Sequence, residues 1–300
     1  MTKTMRVFVT GATGWIGTAV LKELRAAGHR VLGMAHTDAG AEKLSAQGVE
    51  IYRADLREPT SLVEGVRKTD ATIHLGFHMD FSDLSKMYEL DRQAIRTMLD
   101  AMAGSNKTFL GTNGTLVVAH PGKLVSESDT EPTNSVLSVR LSAERLVLDA
   151  VKSGVRGSVI RLAPTVHGSG DKGFIPMLIQ LAREKRAAAY VDEGGNHWPA
   201  VHRDDAACLY RLALENAPPG TVLHATAEEG IRMREIAETI SQGLGVPTKS
   251  VPAATAADHF GWLSIAVGLD NRSSSAATRQ LLRWAPQGPG LLQDMRAHYF

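Results

Sequence analysis

The stretch "VTGATGWIG" sets Gly11, Gly14 and Gly17 three residues apart, directly after a short hydrophobic run that ends at Thr10. Glycines so placed do one kind of chemistry: they let main-chain amides approach the pyrophosphate of a dinucleotide. Gly11 permits a tight turn, Gly14 leaves the approach uncovered, and Gly17 lets the next helix lie close on the strand. That helix would open at Trp15 and Ile16, turning its N–H groups and positive dipole end to the phosphates, with Thr10 and Thr13 bracketing the turn. An NAD site places an acid about 20 residues farther on, to accept from the ribose 2′-hydroxyl. In "GMAHTDAG" that place is held by His36 and Thr37, and the acid comes only at Asp38. A 2′-phosphate meets no carboxylate there and finds an imidazole and a hydroxyl that can donate to it. NADP(H) is therefore expected in preference to NAD(H). Asp55 and Leu56, in "RADLRE", follow the third expected strand and are expected to meet the adenine amino group and ring.

Such a site needs strands and helices in alternation. Short β-rich runs fall at 6–10, 29–34, 50–54, 71–76, 107–112 and 157–162. Between them lie segments of helical period, with Ile16, Val20, Leu24 and Ala27 on one face and Leu137, Leu141, Leu148 and Val151 on another. This alternation predicts an α/β fold: a Rossmann-type, doubly wound parallel sheet, with a smaller C-terminal substrate-binding lobe. The expected division is 1–164 for the dinucleotide-binding domain, with 200–225 returning to it, and 165–300 for the lobe. Within the lobe, 174–185 and 203–216 read as helices and 221–226 as a strand, whereas "APTVHGSGDKG" and "EGGNHWPAVH" read as loops.

Bulk properties exclude several classes. With 43% hydrophobic and 22% charged residues, the chain can bury a core and is not of disordered composition. A net charge of +1 provides no field to draw nucleic acid or an anionic membrane surface. Cys208 is the only cysteine, so neither an intrachain disulfide nor a Cys-rich zinc site can form. No run of about 18 apolar residues appears, and the opening apolar run is too short for a signal peptide, so a cytoplasmic location is expected. His74 and His78 have i, i+4 spacing, but "HLGFH" lacks the glutamate of a zincin and lies at a strand end, so no metal site is expected. No Gly-x-Ser-x-Gly elbow exists for a serine hydrolase.

Taken together, "TGATGWIG" (10–17), "ADL" (54–56), "HLGF" (74–77), "RLAPTVHG" (161–168), "AVHRDDAACLYRLAL" (200–214) and "LLRWAPQGPGLLQDM" (281–295) resemble the extended short-chain dehydrogenase/reductase superfamily. The resemblance implies a lobe that closes over substrate. It also implies that Leu75 and Gly76 flank the adenosine ribose, with Phe77 beside them, and that Pro164 and Thr165 meet the nicotinamide amide. That superfamily uses Tyr-x-x-x-Lys, the phenol as proton donor and the lysine as its partner and ribose holder. With Glu144 as anchor of the register, the lysine place is Arg140 and the tyrosine place is Val136; no tyrosine in the chain has a lysine four residues on. The nearest imitation is Tyr88 with Arg92. Where the helper serine belongs, "GTNGT" places Gly114, with Thr112, Asn113 and Thr115 beside it. Arg140 can still bridge ribose hydroxyls but is a poor acid, and histidine is the residue type best suited to replace the phenol.

His78, at the carboxyl edge of the sheet, ranks first as that acid, followed by His120 and His167. His74 reads as a satisfied core residue, while His29, His259 and His298 read as surface residues. Phe77, His78, Phe81, Thr115, Phe174 and Trp198 are expected to line the substrate pocket, with His167 and His202 near it. The mostly apolar lining suits a small or medium carbonyl compound. The function expected is NADP(H)-dependent reduction of a carbonyl or similar C=X bond, with Thr115 or Asn113 polarising the acceptor. The alternatives are a non-catalytic NADP(H) sensor or scaffold, or an epimerase/dehydratase. A homodimer through 83–103 and 136–153 is possible from the resemblance.

Overall fold

β1 (Arg6–Thr10) is apolar because both of its faces are covered, and Val7, Phe8, Val9 and Thr10 have no exposure. The computed structural model describes residues 4–78 and 83–300. β1 pairs in parallel with β2 (Arg30–Ala35) and β4 (Ala71–His74); β2 pairs with β3 (Glu50–Arg53) and β4 with β5 (Thr108–Gly114). With strands Arg156–Leu162 and Val222–Ala225 the sheet has seven strands, in the order Val222–Ala225, Arg156–Leu162, β5, β4, β1, β2, β3. This is the doubly wound Rossmann-type sheet expected from the strand–helix alternation, reversing direction of winding at β1.

Helix α1 (Trp15–Ala26) buries Gly17, Val20, Leu21 and Leu24. Helix α2 (Asp38–Ala46) is capped by Thr37, whose hydroxyl accepts from Gly40 N. After the short α3 (Val63–Arg67), helix α4 (Leu84–Met102) buries Met87, Tyr88, Asp91, Ile95, Met98 and Met102. The segment expected as one amphipathic helix is three pieces: a 3₁₀ stretch Val136–Arg140, helix α5 (Leu141–Asp149) and a second 3₁₀ turn Ala150–Ser153. Phe8, Leu32, Leu62, Met98, Phe109, Val147 and Val159 form the core of this half.

The chain divides into two compact units, one of 1–113, 139–160 and 207–223, the other of 114–138, 161–206 and 224–300. The second unit has a core of Ile175, Ile179, Trp198, Ile236, Ile240, Leu291 and Met295. Two of its strands fall where loops were expected. Thr165–His167 pairs in parallel with Ala200–His202, and His197–His202 pairs antiparallel with Glu228–Arg232 across a bulge between Trp198 and Ala200. Among the described residues no helix is long and apolar enough to cross a membrane. His29 corrects another expectation: it is buried rather than at the surface, with Nε2 3.1 Å from Glu215 Oε1.

Candidate functional site

The glycine turn is built so that no side chain fits in it. Gly11 has φ of +66°, and a Cβ there would sit 2.7 Å from Gly76 N. A Cβ on Gly17 would lie 2.1 Å from the Gly11 carbonyl oxygen, so α1 packs on the turn backbone to backbone. Gly14 N donates to Gly11 O at 2.9 Å, and Gly14, as N-cap, offers no side-chain acceptor to the first turn of α1. Thr13, Trp15 and Ile16 are part-buried around it. A cradle that a single Cβ would fill is the shape a pyrophosphate requires, so these residues fit a dinucleotide.

A buried relay fixes the floor of that turn. Gly76 N donates to Thr10 Oγ1 at 3.0 Å, Thr10 Oγ1 lies 2.7 Å from His74 Nδ1, and His74 Nε2 lies 3.1 Å from Asp91 Oδ1. If the threonine donates to Nδ1, the ring proton sits on Nε2 and goes to the aspartate. His74 is the satisfied core residue expected. Asp91→Leu leaves that donor buried and unpaired and is expected to cost about 2 kcal/mol. In a urea titration the His74→Leu/Asp91→Leu double variant should lose less than the sum of the single losses, and strict additivity would show that the pair is not coupled.

At the adenosine end, His36, Thr37 and Asp38 are exposed. Arg53 closes over them from β3: its Nη2 is 2.8 Å from Asp38 Oδ1 and its Nη1 donates to Thr37 O. Lys43 Nζ donates to Thr13 O at 2.7 Å. Sequence reasoning missed both cations. The signal for Arg53 lies in the parallel register, which sets it opposite Ala35, one residue before His36. Asp38 has a side chain 94% exposed, so its pairing with Arg53 is weak and a phosphate could displace it. The Arg57 guanidinium, 2.6 Å from Asp55 Oδ2, holds Asp55 well below the usual carboxylate range, at about 2. Leu56 is buried beside it.

Around Arg140 the first unit gathers several of the expected residues. The guanidinium lies 4.5 Å over the Phe77 ring and its Nη2 donates to Thr112 O at 3.4 Å. Its Nε is buried with no hydrogen-bond partner among the described residues. Thr112 Oγ1 is 2.7 Å from Tyr210 Oη, and Asn113 Nδ2 donates to Glu144 Oε2 at 2.9 Å, which occupies one proton of the amide expected to polarise an acceptor. Tyr88 stands with its ring centroid 6.2 Å from that of Phe77. Leu75 is part-buried, Gly76 is buried and His78 is exposed. Val136, at the expected tyrosine place, is 51% exposed.

The remaining expected residues belong to the second unit. Thr115 is fully buried and its Oγ1 accepts from Asn271 Nδ2 at 2.8 Å. His120 is part-buried, with Nε2 3.4 Å from Glu131 O. Pro164 is part-buried, and the Thr165 hydroxyl donates to Pro199 O. His167 is buried with Nδ1 2.8 Å from Asp294 Oδ2; burial pushes its imidazole down against the pull of that carboxylate, which suits it poorly to proton donation. The His202 ring lies 5.6 Å from it. Trp198 has no exposure and belongs to the core, with Phe174 packed on it at 5.3 Å and Trp262 beyond at 6.2 Å. Phe81 lies outside the described residues. Among the described residues no cluster of three potential metal ligands exists.

Comparison with known proteins agrees with this architecture. The chain is 43% identical over 98% of its length to an uncharacterized protein of Saccharomyces cerevisiae, covering 99% of that protein. It is 27% identical, over 86% of its length and 80% of the relative, to the 4-hydroxy-2-methyl-3-oxo-4-farnesyl-3,4-dihydroquinoline-1-oxide ketoreductase of Stigmatella aurantiaca. Its fold matches that of a dTDP-glucose 4,6-dehydratase from Streptomyces venezuelae, solved with NAD bound, at TM-score 0.79 and 18% identity over 97% of both chains. The sequence profile of the NAD dependent epimerase/dehydratase family matches residues 7–225. A glycine turn closed to side chains, a mostly parallel seven-stranded sheet and that match together make the chain a member of the NAD dependent epimerase/dehydratase family, within the extended short-chain dehydrogenase/reductase superfamily.

Proposed function

We propose that the protein is an NADP(H)-dependent oxidoreductase that reduces a carbonyl or similar C=X bond of a small or medium apolar substrate. The observation that carries this reading is Arg140, stacked on Phe77, anchored at Thr112, and left with a buried Nε–H that no described residue accepts. An unmet buried donor costs about 1–3 kcal/mol, and a ribose hydroxyl would relieve that cost. The likeness to a ketoreductase supports the reaction class, and the NAD in the dehydratase structure supports a dinucleotide on the glycine turn. His36, Lys43 and Arg53 at the end of β2 support a 2′-phosphate there.

Bound in its reduced form, the dinucleotide supplies hydride. Arg140 would hold and orient, since a guanidinium offers only donors and is a poor acid. One observation favours a second reading, a non-catalytic NADP(H) sensor: no tyrosine in the chain has a lysine four residues on, and Val136, at the place the resemblance gives the phenol, is exposed. Calorimetry with NADPH and NADH, followed by NADPH consumption across a panel of ketones and aldehydes, separates the two. Tighter binding of NADPH with substrate-dependent oxidation is the expected result. Tight binding with no consumption gives the sensor reading, and equal dissociation constants end the NADP(H) preference.

A further inference from the structure

We propose that Tyr88, reaching in from α4, is the proton donor of this enzyme, with Arg140 as its cationic partner. The inference rests on the reductase reading above and supplies the acid that reading lacks. In the superfamily's arrangement phenol and cation share one helix, four residues apart; here they come from two helices and meet across Phe77. Arg140 lies 4.5 Å over the Phe77 ring, and the Tyr88 ring lies 6.2 Å from that same ring, tilted by 36°. Phe77 follows β4 at the carboxyl edge of the sheet, where ligands bind in open α/β folds.

What separates Tyr88 from the other tyrosines is its place beside Phe77 at the carboxyl edge of the sheet, within the field of Arg140. Tyr88 is 7% exposed, yet no described residue hydrogen-bonds its Oη. The hydroxyls of Tyr52, Tyr210 and Tyr299 have partners: Ser61 O, Thr112 Oγ1 and Asp171 Oδ2. Tyr190, under Arg234, shares the unbonded state of Tyr88 but belongs to the second unit, not to the sheet edge that carries Phe77. A tyrosine hydroxyl that no described residue holds is open to a bound molecule. Burial raises the phenol above its ordinary range, and the Arg140 charge pulls it back by favouring phenolate. That pairing lets a phenol lose its proton in the transition state and regain it afterwards. His78 offers neither burial nor a described partner: it is exposed to bulk water.

The step balances without a further reactant. The carbonyl carbon of the substrate gains hydride from NADPH, its π pair moves to oxygen, and Tyr88 Oη–H gives its proton to that oxygen. The product is an alcohol, the dinucleotide leaves oxidised, and the phenolate takes a proton from water.

The test uses the whole chain. Tyr88→Phe should bind NADPH within twofold of the parent by fluorescence titration yet lose about 10²- to 10⁴-fold in kcat. Tyr52→Phe, a tyrosine bonded to Ser61 O, should keep its kcat. 3,5-Difluorotyrosine at position 88, a more acidic phenol of nearly the same shape, should retain turnover and move the basic limb of the kcat profile to lower pH. A packing role would not move it. In the dinucleotide-free protein, ultraviolet titration should show the Tyr88 phenol ionising at higher pH in Arg140→Gln than in the parent. Turnover in Tyr88→Phe within threefold of the parent, or an unmoved limb with the fluorinated residue, overturns the assignment. So does a larger loss in His78→Gln than in Tyr88→Phe; all three outcomes leave the reductase reading intact. A parent protein that binds NADPH but oxidises none across the carbonyl panel brings down the reading itself, and Tyr88 with it.

Discussion

Gly17→Ala is expected to weaken NADPH and NADH alike by about 100-fold, the equivalent of about 2.8 kcal/mol of lost phosphate contact. The added methyl would stand 2.1 Å from Gly11 O and 3.1 Å from Ala12 Cα, and both are backbone atoms that cannot rotate away. α1 must then lift from β1, or the turn must deform at Gly11, which is held at a φ of +66° with no room even for a Cβ beside Gly76 N. Overpacking of this kind also costs about 1–3 kcal/mol of stability. Calorimetry measures the first effect and urea denaturation the second. Gly195→Ala makes the same chemical change where a Cβ meets nothing within 4 Å, and should alter neither. Parental affinity in Gly17→Ala would mean that the phosphates do not sit on this turn.

Arg53→Glu is the second large effect, and it is selective. If Arg53 gives a charge-assisted bond to a 2′-phosphate, its loss costs about 1.5–3 kcal/mol, roughly 10- to 150-fold in affinity, before repulsion from the new carboxylate is added. NADH, with a hydroxyl in that place, should bind as before, so the preference should collapse or invert. The loss should also shrink as salt is raised, because the Arg53 side chain is 48% exposed. Calorimetry with both dinucleotides at two ionic strengths checks this. Equal weakening of NADPH and NADH would place Arg53 in the stability of the β2–β3 edge rather than in selectivity.

The parts legible in the sequence were those where one local segment carries the whole signal. "RVFVTGATGWIG" joins a fully buried strand, a turn and a helix within twelve residues, and the turn needs glycine whatever surrounds it. The helices at 174–185 and 203–216 were equally plain, since their periodicity runs uninterrupted. The strand His197–His202 was hidden by the glycines before it and by Pro199, at a bulge where one strand edge needs no N–H donor. His29 looked like a surface residue because its partner, Glu215, lies 186 positions away. Arg53 was missed for the same reason, and Tyr88 was singled out only with Arg92, four residues on, and not with Arg140. Their roles depend on which strand pairs with which and on one aromatic ring that two helices approach, and neither relation leaves a pattern along the chain.

The order of strands has a consequence for the nascent chain. Arg156–Leu162 lies between β5 and Val222–Ala225 in the sheet, with Val159 N donating to Thr221 O and Gly220 N to Gly157 O. Until that last strand has left the ribosome, the outer edge of a strand whose Val159 and Ile160 belong in the interior lies open. Translation at about 5–20 residues per second leaves it so for several seconds. A transcript truncated anywhere between these two segments would yield a product with an unpaired apolar margin, the kind of surface that chaperones bind and that otherwise seeds precipitation.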